Sequence, residues 1–348
     1  VENSPTTEMR GFPPEKPIRA EDLHSTDDRR RRWALQHISE LCKTQKISRG
    51  SGQVTVLPRK MKDLDNLRVC NEHGDSTLSE FLHDTSTDAF LVMHRGEIVT
   101  EQYFNGMRPC TPHLIWSCTK SIAAGVVANL LEEDNADFTR KTKITDHVPE
   151  LKNSGYAGCT IEHLLNMQSS VAYQFGHDPV NILRHKSGNE CGRHYRSAEM
   201  YPKIAGDDHP GQYAFLQSLD VDERLNPPGS KFCYKDSDTA VLSWVCERFT
   251  GKRFVDLISE MIWSQLGAEH DGSIVCGPQG ACTPAAGGSI TLRDFARWGQ
   301  MHLQLGSWNG KQIVPAEFIE GVAGFREPLV FGEGLAPPEG FFPDNTTY

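Results

Sequence analysis

The sequence has no stretch approaching 18 consecutive apolar residues, so it offers no membrane span. Its ten cysteines never fall at C-x-x-C spacing, and no H-x-x-x-H or H-E-x-x-H pattern occurs. The usual zinc and thiol-redox signatures are therefore missing, and His177, His185 and His194 read as surface or lid residues rather than metal ligands. The glycine-rich stretch 267–288 lacks Walker or dinucleotide spacing, which leaves phosphate binding unsupported. Basic residues number 36 against 46 acidic ones, giving a formal charge of −10, and the only basic run is Arg29–Arg32. No nucleic-acid partner is expected from that balance. No internal repeat occurs, and the first twenty residues lack the apolar core of a secretory signal. Scattered cysteines without a paired spacing fit reduced thiols and a cytoplasmic location.

What remains is an ordinary globular composition, 38% hydrophobic and 24% charged over 348 residues, enough chain to bury a sizeable core. Residues 1–30 carry Pro5, Pro13, Pro14 and Pro17 among charges and read as an extended arm. Trp33, Leu35, Ile38 and Leu41 predict a first helix over Arg31–Leu41, and a short strand is expected at Gln53–Leu57. Ala89–Met93 and Glu97–Phe104 are β-rich runs around His94-Arg95-Gly96, a hairpin signal. The stretch after Trp116 is apolar on nearly every side beyond its first turn, as in a helix buried in mid-domain. Further helices are expected at Ile161–Met167, Thr239–Phe249, Arg253–Leu266 and Leu292–Leu305, whereas 168–212 reads as a long irregular region.

Ser117 and Lys120 stand at S-x-x-K spacing at the head of that buried helix. Residues three apart on a helix share a face, so the lysine can sit beside the serine hydroxyl. Serine needs such a neighbour because its hydroxyl stays protonated at neutral pH. The first helical turn also leaves backbone N–H groups unpaired, and that of Ser117 can donate to an oxyanion. Lys120 can serve as base only if its pKa falls, and burial against the apolar helix would lower it. A chain of this length holds about one S-x-x-K by chance, so the spacing decides little without its context. Cys118, beside the serine, reads as a small core residue.

The ordered motifs resemble the beta-lactamase-related serine hydrolases, the superfamily of class C beta-lactamases, D-alanyl-D-alanine carboxypeptidases and related esterases. Thr87–Val92, the Ser117-Cys118-Thr119-Lys120 helix and Ile161–Ser170 carry the likeness. Phe232–Val245 and Gly287–Arg297 resemble the 6-aminohexanoate-dimer hydrolase branch in particular. The resemblance implies an α+β fold of the beta-lactamase/transpeptidase type, an antiparallel sheet flanked by helices with a mostly helical insert. It divides the chain into an arm and first helix at about 1–70 and a main domain at 71–348. Within that domain the sheet parts fall at about 76–115 and 240–348, and the insert at about 116–239.

By the same resemblance Tyr234 is the third catalytic residue, a proton relay, and Asp236, Gly287 and Gly288 line the substrate site. Many relatives read Tyr-Ser-Asn or Tyr-Ala-Asn where this chain reads Tyr234-Lys235-Asp236. An acid there implies a neutral or cationic substrate rather than an anionic one. No Lys-Thr-Gly or His-x-Gly follows Gly288. The resemblance therefore implies a chain lacking its last sheet strands, which would leave the 89–104 hairpin with a bare edge and an open core. The expected activity is hydrolysis of a small-molecule ester or amide through a Ser117 acyl-enzyme, without a cofactor. An acyltransferase and a non-catalytic homologue remain as alternatives.

Overall fold

In the computed structural model, the described residues are 9, 14, 16–71, 74–133, 135–173, 190–203 and 211–324. The chain enters through a short 3-10 turn, Ala20–His24, and a helix over Asp28–Gln36. The expected single helix to Leu41 is instead broken at His37, where a second short helix, Ile38–Leu41, begins. The His37 ring stacks on Trp33 at 3.9 Å, and its Nδ1 lies 2.8 Å from the Trp33 carbonyl oxygen. That bond occupies a carbonyl that the next helical turn would have used.

Strands β1 (Thr44–Ile47), β2 (Arg68–Asn71) and β3 (Gly74–Thr77) follow, then the hairpin of β4 (Ala89–His94) and β5 (Glu97–Tyr103). Arg95 and Gly96 make its two-residue turn, both with positive φ (51° and 81°), the backbone that suits the twist of a tight hairpin. Strand β6 (His113–Leu114), β7 (Gly272–Val275) and β8 (Gly288–Ile290) complete the main sheet in the order β1-β7-β8-β6. Its pairs are antiparallel, with Thr44 opposite Val275, Ser273 opposite Ser289 and Leu114 opposite Ser289.

No strand forms at Gln53–Leu57. Thr55 is held as a loop residue instead, its N–H donating to the Gly267 carbonyl and its own carbonyl accepting from buried Arg297. The hairpin is tied to helix Leu292–Leu303 through Glu101, which meets Arg293 at 2.6 Å and Arg59 at 2.9 Å. Burial alone would raise the Glu101 pKa, yet the bonds from Arg293 and Tyr103 hold it below the usual range. Among the described residues β4 pairs only with β5.

Helix Thr119–Glu132 runs through the middle of the core, with Ile122, Ala123, Val126, Val127, Ala128 and Leu130 all buried. Each fully buried valine contributes on the order of 2 kcal/mol from area alone. Gly125 lets this helix lie close to its neighbours, since a Cβ there would meet Trp298 at 3.0 Å and Val314 at 3.3 Å. The helix packs against helix Asp236–Thr250 and against the Ile258–Trp263 segment. Gly251, at φ 70°, ends the former in the left-handed conformation that suits glycine. No helix of the described residues is long and apolar enough to cross a membrane.

Candidate active site

The core helix is entered through a single 3-10 turn, Trp116–Cys118, which places Ser117 just ahead of Thr119. Sheet and turn are locked together by backbone bonds. Ile115 N donates to Gly288 O at 2.9 Å, and Gly288 N donates to Thr119 Oγ1 at 3.0 Å. Thr119 Oγ1 in turn donates to Trp116 O at 2.6 Å. Trp116 carries φ 45°, a left-handed backbone that costs a tryptophan about 1–3 kcal/mol. The strain lies one residue before the serine and is held by the Thr119–Gly288 bonds and by the His24 ring, 5.2 Å away. Burial pushes the His24 pKa down to about 4, and its Nε2 lies 2.5 Å from the Tyr201 hydroxyl.

Ser117 Oγ is 2.7 Å from the Tyr234 hydroxyl, which donates to it, and 3.1 Å from Lys120 Nζ. The lysine has two further acceptors, Asp236 Oδ1 at 2.5 Å and the Ala285 carbonyl at 2.8 Å. Its ammonium also lies 4.8 Å from the centre of the Tyr234 ring. Three acceptors match three N–H protons, which is the environment of a charged lysine. Burial by itself would lower the Lys120 pKa, as the sequence suggests. The Asp236 charge and hydrogen bond, with a smaller contribution from neighbouring Tyr234, outweigh burial, so the pKa is raised. The expectation of a depressed lysine pKa is thereby corrected, because the sequence does not show the buried counter-ion.

Asp236 does not line a substrate surface either. It is 1% exposed, beneath Lys120, and its Oδ2 accepts from the Tyr195 hydroxyl at 2.6 Å and the Cys191 thiol at 3.7 Å. Both donors belong to helix Glu190–Ser197, inside the region that reads as irregular in sequence. Residues 174–189 and 204–210 of that region, His177 and His185 among them, lie outside the described residues. His194 is fully buried, stacked on Tyr195 and Phe215.

Gly287 and Gly288 are buried as well. A Cβ at Gly288 would come within 2.7 Å of Thr119 Oγ1, and one at Gly287 within 2.9 Å of the Thr283 carbonyl. Gly288 lets β8 approach the serine turn, and Gly287 lets the chain before it close against Thr283 and Val275. Cys118 is exposed, contrary to its reading as a core residue. With Arg32, Asp88, His113, Ile290 and Phe295 it lines a cavity of about 420 Å³ that runs beside the hairpin. All ten cysteines are free thiols in the structure. Among the described residues, no group of three or more His, Cys, Asp or Glu side chains is gathered to hold a metal ion.

Comparison with known proteins places the chain in a family and a fold. The family model described as Beta-lactamase matches residues 75–342. The 6-aminohexanoate-dimer hydrolase of Paenarthrobacter ureafaciens is 33% identical over 315 residues, which is 89% of this chain and 75% of that protein. A solved structure from Bacillus anthracis, provisionally described as a 6-aminohexanoate-dimer hydrolase, has a TM-score of 0.81 at 29% identity, covering 93% of this chain and 79% of its own. EstCE1, a hydrolase with promiscuous acyltransferase activity, is 14% identical with a TM-score of 0.52 over 70% of this chain and 74% of its own, a likeness of fold alone.

Proposed function

The chain belongs to the beta-lactamase family, whose matched relatives are hydrolases, and on that premise we propose that it is a serine hydrolase cleaving an ester or amide through a Ser117 acyl-enzyme. One observation carries the reading: Ser117 Oγ lies within hydrogen-bond reach of both Tyr234, at 2.7 Å, and Lys120, at 3.1 Å. That is the neighbourhood an activated serine requires.

In the proposed reaction Ser117 Oγ bonds to the substrate carbonyl carbon as its proton passes to the Tyr234 oxygen. Tyr234 hands its own proton to the departing alcohol or amine, so acyl-serine and the free leaving group form together. Water then replaces the leaving group, gives its proton back through Tyr234, and releases the acid and Ser117. Lys120 enters as a fixed positive charge beside both oxygens, steadying the negative charge that builds during transfer. The Ser117 N–H, at the N-terminal end of the core helix, is the proposed donor to the carbonyl oxygen.

The Asp236 charge is spent on Lys120 and so does not select a cationic substrate. The 6-aminohexanoate dimer named for the relative is the first substrate to offer this chain, together with simple activated esters. A fluorophosphonate probe tests the reading. It should add to the wild-type chain and not to Ser117→Ala, and equal addition to both would reject it.

A further inference from the structure

Asp236 has a surrounding that its neighbours on the core helix do not explain. It is the first residue of helix Asp236–Thr250, yet its carboxylate turns inward at 1% exposure. The groups facing it come from several elements. Lys120 approaches from the core helix, and Cys191, His194 and Tyr195 from helix Glu190–Ser197. Tyr173 and Tyr201 stand nearby, and Tyr234 precedes it by two residues across from Lys120.

Burial pushes the Cys191 thiol and the Tyr173, Tyr195 and Tyr201 phenols well above their ordinary values. It pushes His194 down to about 4. All five are therefore uncharged near neutral pH, and among the described residues Lys120 is the cation bonded to the carboxylate.

We infer that Asp236, fixed by the Tyr195 hydroxyl and the Cys191 thiol, is a positioning residue that holds Lys120 as a cation against Ser117 and Tyr234. Oδ2 is committed to Tyr195 at 2.6 Å and to Cys191 at 3.7 Å, which sets the carboxylate plane and leaves Oδ1 for the lysine at 2.5 Å. The Ala285 carbonyl fixes the lysine from another side at 2.8 Å. With both neighbours set, the third N–H of Lys120 points at Ser117 Oγ. A buried charge that is paired and hydrogen-bonded keeps its geometry because any other arrangement leaves a charge unpaired. The consequence is a division of labour in which Lys120 supplies charge and Tyr234 moves the proton. This inference rests on the Ser117 reading for its catalytic meaning, though not for its test.

The test follows the Lys120 ammonium itself, by the ¹³Cε resonances of labelled lysine, with Lys120→Arg identifying the signal. In the wild type Lys120 should keep its proton beyond the ordinary lysine range, because Asp236 raises its pKa. In Asp236→Asn, which keeps the shape and removes the charge, it should lose its proton at least about one pH unit lower. Tyr195→Phe keeps the ring and should move the titration the same way by less, so the comparison survives even if Asp236→Asn folds poorly. Fluorophosphonate addition at neutral pH should fall about tenfold or more in Asp236→Asn and gain an alkaline limb that the wild type lacks at the same pH. A wild-type Lys120 already neutral at about pH 8, a titration unmoved by both variants, or faster addition in Asp236→Asn would overturn the inference. A wild-type chain that takes no probe but shows the expected lysine titrations would reject the Ser117 reading and leave the charge pair standing.

Discussion

Lys120 Nζ lies nearer to Asp236 Oδ1, at 2.5 Å, than to Ser117 Oγ, at 3.1 Å. The lysine of the S-x-x-K pair is thus bound first to a buried carboxylate and only second to the serine it accompanies. Both side chains are largely shielded from water, at 12% and 1% exposure, so neither charge has solvent to fall back on.

Breaking that pair from one side should cost more than removing it whole. Lys120→Met leaves Asp236 buried and uncompensated, and should lower stability by about 3–5 kcal/mol. Adding Asp236→Asn removes the orphaned charge and should restore a large part of the loss. Denaturant melts of the two single variants and the double variant give the coupling directly. Additive losses would show that the two side chains do not act as a pair.

Tyr234→Phe removes one hydroxyl and little packing, since that hydroxyl points at Ser117. The rate of fluorophosphonate addition should fall by about 10²–10⁴-fold with the melting temperature nearly unchanged. A fall of less than about threefold would take proton transfer away from Tyr234.

Gly288→Ala should disturb the site from below. The new methyl would meet Thr119 Oγ1 at 2.7 Å, an atom already bonded to Gly288 N and to the Trp116 carbonyl. Overpacking of this kind costs about 1–3 kcal/mol. Probe addition should slow in the folded variant because the strained Trp116 turn shifts with its anchors. An unaltered rate would mean the Ser117 turn tolerates movement of β8.

Acid should weaken the fold partly through two buried histidines. Burial holds His24 and His194 at about 4, whereas each would bind a proton near 6.5 once unfolded. Unfolding therefore takes up protons between those values. The stabilising contribution is complete above 6.5 and is lost as pH falls toward 4. Asp238 works in the opposite sense, because burial raises its pKa and its charged form becomes a cost as pH rises. Comparing wild type with His194→Phe isolates the histidine. The drop in melting temperature between about pH 7 and about pH 4.5 should be smaller in the variant. Equal drops would show that His194 does not contribute to acid sensitivity.

Features written in short segments were legible in the sequence. The hairpin reads from two β-rich runs around Arg95-Gly96, and the core helix from its unbroken apolar composition. Ser117 and Lys120 read from helical spacing, and Tyr234 from a motif whose order along the chain matches a family. The errors arose where the direction of a side chain depends on distant chain. Asp236 follows Tyr234 by two residues, but whether it faces the ligand or the interior is set by Tyr195 and Cys191, some forty residues earlier. Those residues form a helix within a stretch too polar and glycine-rich to show one. The sequence shows that the lysine is buried but not its counter-ion, and burial alone gives its pKa shift the opposite sign. Gly287 and Gly288 are plain in the sequence, but a glycine pair does not reveal what it packs against, here Thr283 and Thr119. β1 (Thr44–Ile47) carries no strand signal, because Thr-Gln-Lys-Ile has only one residue that ends up fully buried and its pairing with β7 spans more than two hundred residues.

The most direct measurement is the covalent intermediate itself. The chain is mixed with a p-nitrophenyl ester, quenched in acid within the first turnover, digested and mapped by mass. The acyl group should be found on the peptide containing Ser117, on the serine itself and not on Cys118, and should be absent from Ser117→Ala. An acyl group on another residue, or ester turnover that persists in Ser117→Ala, would contradict the account.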